Sequence, residues 1–256
     1  MKLQQNELKE FLDFKVSQYN TKAFIQDDPI RIPHHFKLKE DIEISGFLVA
    51  TIAWGNRKSI IKSGERMIEL MGESPYDFAM SATPKQIASL NGFVHRTFNG
   101  DDFATFLKAI RNLYKSHGGF ENVFAKHATP ESLQPAIHEF KKVFFSIKHS
   151  ERTEKHVSDP FKNSAAKKIN MWLRWMVRKD KSGVDFGLWK SISPSQLSCP
   201  LDVHSGNVAR KLGILKRAQN DATALAELNV SLRKLDSKDP VKYDFALFGL
   251  GVFEKF

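Results

Sequence analysis

Apolar residues recur every three to four positions along almost the whole chain, the spacing of helices with one buried face. It predicts helices over about 3–18, 40–53, 57–71, 84–91, 102–116, 130–147, 165–178, 203–212, 221–235 and 240–249. Residues suited to capping stand at several starts: Asp101/Asp102, Thr129-Pro130, Ser164, Asp202, Asp221 and Asp239-Pro240. No segment alternates apolar and polar residues for long enough to require a strand. Connections are short and rich in Gly, Pro, Asn and Ser, with no fixed-period repeat and no low-complexity tract. The most polar segment, 148–159, reads as an exposed loop or lobe boundary, and 27–35 as a second irregular stretch. The expected architecture is all-α and two-lobed: a helical lobe over 41–155, and a second lobe from 1–40 plus 156–256.

Composition sharpens this picture. The 256 residues are 41% hydrophobic and 27% charged, as in ordinary globular proteins. The 21 phenylalanines predict an aromatic core. The net charge of +10 favours polyanionic partners, because each phosphate contact releases condensed counterions; a merely solvated basic surface would carry the same charge. A single cysteine, Cys199, excludes an internal disulfide framework, a four-cysteine zinc site and a cysteine-ligated iron–sulfur cluster. The first ten residues are too charged for a signal peptide, and the longest apolar stretch, 46–54, is too short to span a bilayer. A cytoplasmic, monomeric protein without membrane partners is the expectation.

Candidate chemistry gathers at two helix starts. Asp202 reads first as an N-cap, a role that would also hold a catalytic carboxylate in one orientation. Lys167 and Lys168 open the helix before the run 169–176, which is rich in Trp and Met. Lys167 shares a helical face with Met171 and Arg174, and Lys168 with Trp172 and Trp175. Partial burial would lower a lysine's pKa and leave a nucleophilic amine. Trp54-Gly55-Asn56-Arg57 is either a tight interhelical turn, with Gly55 or Asn56 at positive φ, or a wedge for holding a duplex open. His204 and Arg210 would contact phosphate or simply face solvent. No zinc spacing, Gly-rich phosphate loop or Ser-His-Asp order is present.

These segments resemble the helix-hairpin-helix DNA glycosylase superfamily, which includes endonuclease III and the archaeal 8-oxoguanine glycosylases. Cys199-Pro200-Leu201-Asp202-Val203-His204 is similar to the segment that carries that superfamily's catalytic aspartate. Asn163-Ser164-Ala165-Ala166-Lys167 occupies the place of its Gly-Val-Gly-Thr-Lys hairpin. Asn163 and Ala165 then stand where the hairpin has glycines. The lysine-to-aspartate separation of 35 residues is closer to the archaeal 8-oxoguanine branch than to endonuclease III. Over nearly its whole length the chain is also similar to a family of uncharacterised, mostly bacterial proteins, through Trp54–Arg57, His95–Asp102, Asn170–Arg178 and Asp244–Gly251.

The resemblance implies a two-lobed glycosylase fold with a cleft between lobes, and double-stranded DNA as partner, the protein associating with the nucleoid when bound. A damaged base, an 8-oxoguanine-like purine as first candidate, would be flipped out and excised. Lys167 would be the nucleophile, with Lys168 in reserve if the register slips by one, and Asp202 the stabilising carboxylate. Trp54, Gly55, Asn56, Arg57, Asn163, Ser164, Ala165, His204 and Arg210 would bind DNA. No cofactor is required, although a monovalent cation in the hairpin is admitted. The alternative is a catalytically inactive DNA-binding protein on the same scaffold.

Overall fold

The computed structural model describes residues 4–256. It is mostly helical: α1 Gln5–Tyr19, α2 Lys22–Gln26, α3 Lys39–Thr51, α4 Arg57–Leu70, α5 Pro75–Ser81, α6 Pro84–Ala88, α7 Gly100–His117, α8 Gly119–His127, α9 Gln134–Phe144, α10 Lys167–Val177, α11 Val203–Lys211, α12 Ala222–Leu235 and α13 Tyr243–Val252. A two-residue antiparallel hairpin, β1 Val94–His95 with β2 Phe98–Asn99, precedes α7. The expected start of the first helix at residue 3 lies outside the described residues.

Three short helices, α2, α5 and α8, escape the periodicity, because each is too brief for a repeating face. The adjacent Gly118-Gly119 reads as a break, yet Gly118 at φ 75° simply turns α7 into α8. Several starts also move. The cap of α7 is Asn99, whose Oδ1 accepts from the Asp102 amide at 3.1 Å; Asp102 returns the bond to the Asn99 amide at 3.0 Å. Thr129 forms a bridge with Ser132, and α9 begins only at Gln134. Asp239 precedes a 3-10 turn at Pro240–Lys242 rather than α13 itself. Asp202 and Asp221 cap α11 and α12 as expected.

The segment 148–159 is not an exposed loop. It contains a 3-10 helix, Glu151–His156, that closes over the fully buried Asp102. Arg152 Nη1 at 2.8 Å, Thr153 Oγ1 at 2.7 Å and His156 Nε2 at 3.2 Å all reach its carboxylate. A buried carboxylate needs such partners, so Thr153 and His156 turn inward, while Arg152 reaches it from an exposed position. The stretch 27–35 forms two 3-10 turns whose Pro29, Ile30, Ile32 and Pro33 are buried.

Buried apolar side chains fall into two clusters. The larger draws mostly on residues 30–197 and includes α3, α7, α8, α9 and most of α10, with Val241 and Phe245 added from the C-terminal end. The smaller joins α1, α11, α12 and α13. Trp172 and Trp175 carry α10 into the larger cluster.

Candidate active site

A cavity of about 650 Å³ opens where the two clusters meet. Its walls come from the α3–α4 turn, α10, α11, α13 and the 3-10 turn at Pro29. The first residue of α10 and the cap of α11 meet at its mouth. Lys167 Nζ lies 3.7 Å from Asp202 Oδ2, with the two side chains 31% and 26% exposed. The two oxygens of Asp202 divide the work. Oδ1 accepts from the His204 and Ser205 amides at 2.9 and 3.0 Å, which locks the carboxylate as a cap. Oδ2 faces the lysine.

Local backbone explains the position of Lys167. After the 3-10 turn Pro160–Lys162 the chain turns left-handed at Asn163, φ 59°, and again at Ala166, φ 45°. The second left-handed residue is therefore Ala166, not Ala165, which is buried in the smaller cluster. An alanine in this region is strained by its Cβ. Ser164 Oγ accepts from the Ala166 amide at 3.1 Å, and Asn170 Nδ2 donates to the Ala165 carbonyl at 2.9 Å, which holds the turn. The turn also pairs with the cap of α12, since the Ala222 amide donates to the Asn163 carbonyl. The amides of Asn163, Ser164 and Ala166 are thus already bonded. The donors left for an anion are the Ala165 amide and those of the first turn of α10. The carbonyls of Asp159, Pro160, Asn163, Ala165 and Ala166 likewise accept N–H groups.

The other expected residues divide. Trp54 lines the cavity, half-buried, edge-on to His95 and parallel to His156. Gly55 takes φ 98°, with the Arg96 guanidinium packed where a Cβ would stand. Asn56 caps α4 through the Ser59 amide at 3.2 Å. Arg57 lies over the Phe248 ring, 5.0 Å from its centroid. His204 is exposed on the rim. Arg210 is turned inward: its guanidinium donates to the carbonyls of Arg217 and Gln219 and to Asn220 Oδ1, pinning the loop before α12. Lys168 is packed against the face of Trp54, its Nζ donating to the Thr51 carbonyl at 2.7 Å. Burial, and then the neighbouring Lys167, push its amine down to about 8.

The inner end of the cavity holds charges that sequence reasoning missed. Arg174 is buried and paired with Asp244 and, at 3.2 Å, with Asp185. Burial pushes the Asp244 carboxyl up to about 6; Asp202 adds to that push, while Arg174 and Lys167 oppose it. Asp28 is buried as well, its Oδ1 accepting from the Ile30 amide at 3.0 Å, and burial raises its pKa. An arginine inside the apolar run 170–177 was the available signal for a buried charge. Among the described residues, no group of three or more His, Cys, Asp or Glu side chains could hold a metal ion, and no helix is long and apolar enough to cross a membrane.

A model of proteins of unknown function, designated DUF2400, matches residues 28–253. The chain belongs to this family. The matched span of DUF2400 contains both left-handed residues of the turn and the cavity walls from Asp28 to Val252, with Phe24 of α2 the one lining residue outside it. It leaves out α1. No curated protein and no solved structure matches the chain.

Proposed function

We propose that this DUF2400 protein is a DNA base-excision glycosylase with lysine-dependent lyase activity, on a two-lobed scaffold like that of the helix-hairpin-helix glycosylases. The carrying observation is the 3.7 Å approach of Lys167 to Asp202 at the mouth of a cavity of about 650 Å³. That volume suits one flipped base. Trp54 and Phe248 offer apolar faces to it, and the +10 charge favours DNA as partner.

In this reading Asp202, held by its cap bonds, stabilises positive charge as it develops on the sugar. The Lys167 amine, once it has given up its proton, attacks C1′, forming the N–C1′ bond as the glycosidic bond breaks. The proton lost by the amine passes to the departing base, with Asp202 within reach to relay it. Breaking of C1′–O4′ gives a Schiff base; a C2′ proton is then lost to a base as the C3′–O3′ bond breaks, and the downstream strand leaves with a 5′ phosphate. An 8-oxoguanine-like purine is the first substrate to try.

The test is borohydride trapping on duplexes containing 8-oxoguanine or an abasic site. Wild type should give a covalent adduct, Lys167→Ala none, and Lys168→Ala an adduct. Loss of the adduct in Lys168→Ala alone would move the nucleophile by one residue. Asp202→Asn should slow base release by about 10²–10³. Asparagine caps a helix as well as aspartate, so stability should stay near wild type, which a melting curve checks. Salt-sensitive DNA binding with neither adduct nor base release on any lesion would reassign the protein as an inactive binder.

A further inference from the structure

A second cavity, of about 340 Å³, shares Trp54 and Lys168 with the first and is otherwise lined by Thr97, Lys155 and His156. Its charge is unbalanced. The Lys168 ammonium has a carbonyl and an indole face for company, and the other charge acting on it is that of Lys167. From the 3-10 helix Glu151–His156 come Lys155 and His156. His156 is held neutral, its pKa pushed down to about 4 by burial and, to a smaller degree, by both lysines, against the opposing pull of Asp102. The acid behind it, Asp102, bonds His156 Nε2 at 3.2 Å and is otherwise taken by Arg152, Thr153 and the Asn99 amide. From the hairpin side come Thr97 and, against Gly55, Arg96.

We infer that this second cavity is a phosphate-binding subsite, in which Lys155, Lys168 and Thr97 donate to the oxygens of a phosphate group. A desolvated ammonium without a counter-charge is costly, and an oxyanion removes that cost while accepting strong, charge-assisted bonds. Two ammonium groups and a hydroxyl on separate elements suit a tetrahedral oxyanion better than a planar carboxylate. The shared Trp54 wall places the phosphate beside the first cavity, so a single nucleotide or a strand would straddle the indole. The phosphate is either the terminal monoester of a nucleotide or a diester of a strand. Neither alternative depends on base excision taking place.

The reactivity of Lys168 tests this directly. Competitive acetylation across a pH series, read by mass spectrometry at Lys168, should place its midpoint near 8 in the free protein. Saturating inorganic phosphate should raise the midpoint by about one unit or more, and cut reactivity at pH 8 by about fivefold or more. Lys155→Gln and Thr97→Val, both at exposed positions, should each weaken that protection by about tenfold. Protection by a nucleoside 5′-monophosphate, but not by an oligonucleotide lacking terminal phosphates, identifies a monoester site. Protection by the oligonucleotide identifies a diester site. An ordinary lysine midpoint in the free protein would overturn the inference. So would equal protection by chloride, or protection indifferent to Lys155→Gln. None of these readouts requires turnover, so failure of borohydride trapping would leave them interpretable.

Discussion

The two apolar clusters are built from different materials. In the larger, Phe47 has the rings of Phe106, Phe120, Phe140, Phe144 and Trp172 around it, with centroids 5.1–5.7 Å away. In the smaller, leucines and alanines dominate, and Tyr243 is its one buried aromatic among the described residues. Interlocked rings resist sliding, because edge-to-face geometry is directional. Small side chains instead permit close approach: at Gly251 of α13 an added Cβ would stand 3.1 Å from His204 Cβ on α11. The aromatic cluster therefore fixes α10 and its lysine, and the aliphatic cluster sets the aspartate of α11. Arg174 on α10 and Asp244 on α13 tie the two together.

Deleting the centre of each cluster should break this comparison unequally. Phe47→Ala should have the larger effect, about 3–5 kcal/mol of unfolding free energy in urea. The ring system has no flexible member to fill the gap, and loss of α10's support should also weaken DNA trapping. Leu228→Ala should cost about 2–4 kcal/mol and leave trapping closer to wild type. Equal costs, or a Leu228→Ala protein impaired more in trapping than Phe47→Ala, would contradict the assigned roles.

The smallest effect concerns pH at the edge of the aromatic cluster. His156 is neutral in the fold, with a pKa of about 4, while an unfolded histidine takes its proton near 6.5. The unfolded chain thus binds more protons between these values. The contribution of His156 is fully present above about 6.5 and is lost as pH falls toward 4. Asp244, raised to about 6, acts with the opposite sign in the same window. The informative quantity is therefore the difference between wild type and His156→Gln in urea midpoints at pH 7.5 and 5. The difference should shrink at the lower pH, and a constant gap would show that His156 does not titrate as described.

The sequence made some of this legible and hid the rest for identifiable reasons. Asp202 stood out because a helix cap has a local signature, and Lys167 because the resemblance set it in the hairpin's lysine position; its predicted face-mates Met171 and Arg174 do line the cavity. Asp28, Arg174 and Asp244 were not seen as one group. Their proximity is a tertiary fact across segments more than 60 residues apart in sequence. The segment 148–159 misled because polarity normally means solvent, whereas here the buried Asp102 draws Thr153 and His156 inward. The hairpin residue was misplaced by one position: alignment to glycines pointed at Ala165, while the left-handed turn falls on Ala166. The hairpin β1–β2 is too short for alternation to register.

Cys199 gives this architecture a built-in reporter. It is fully buried, its amide donating to Asn229 Oδ1 at 3.1 Å and its thiol to Asp244 Oδ1, and burial pushes that thiol well up. A thiol so placed is inert to alkylating reagents while the surrounding packing is closed. As the chain has no other cysteine, any labelling of the native protein counts openings around the Arg174–Asp244 tie. A stopwatch for the breathing of the cavity floor is thus already wired into the wild-type protein, with no engineered probe to disturb it.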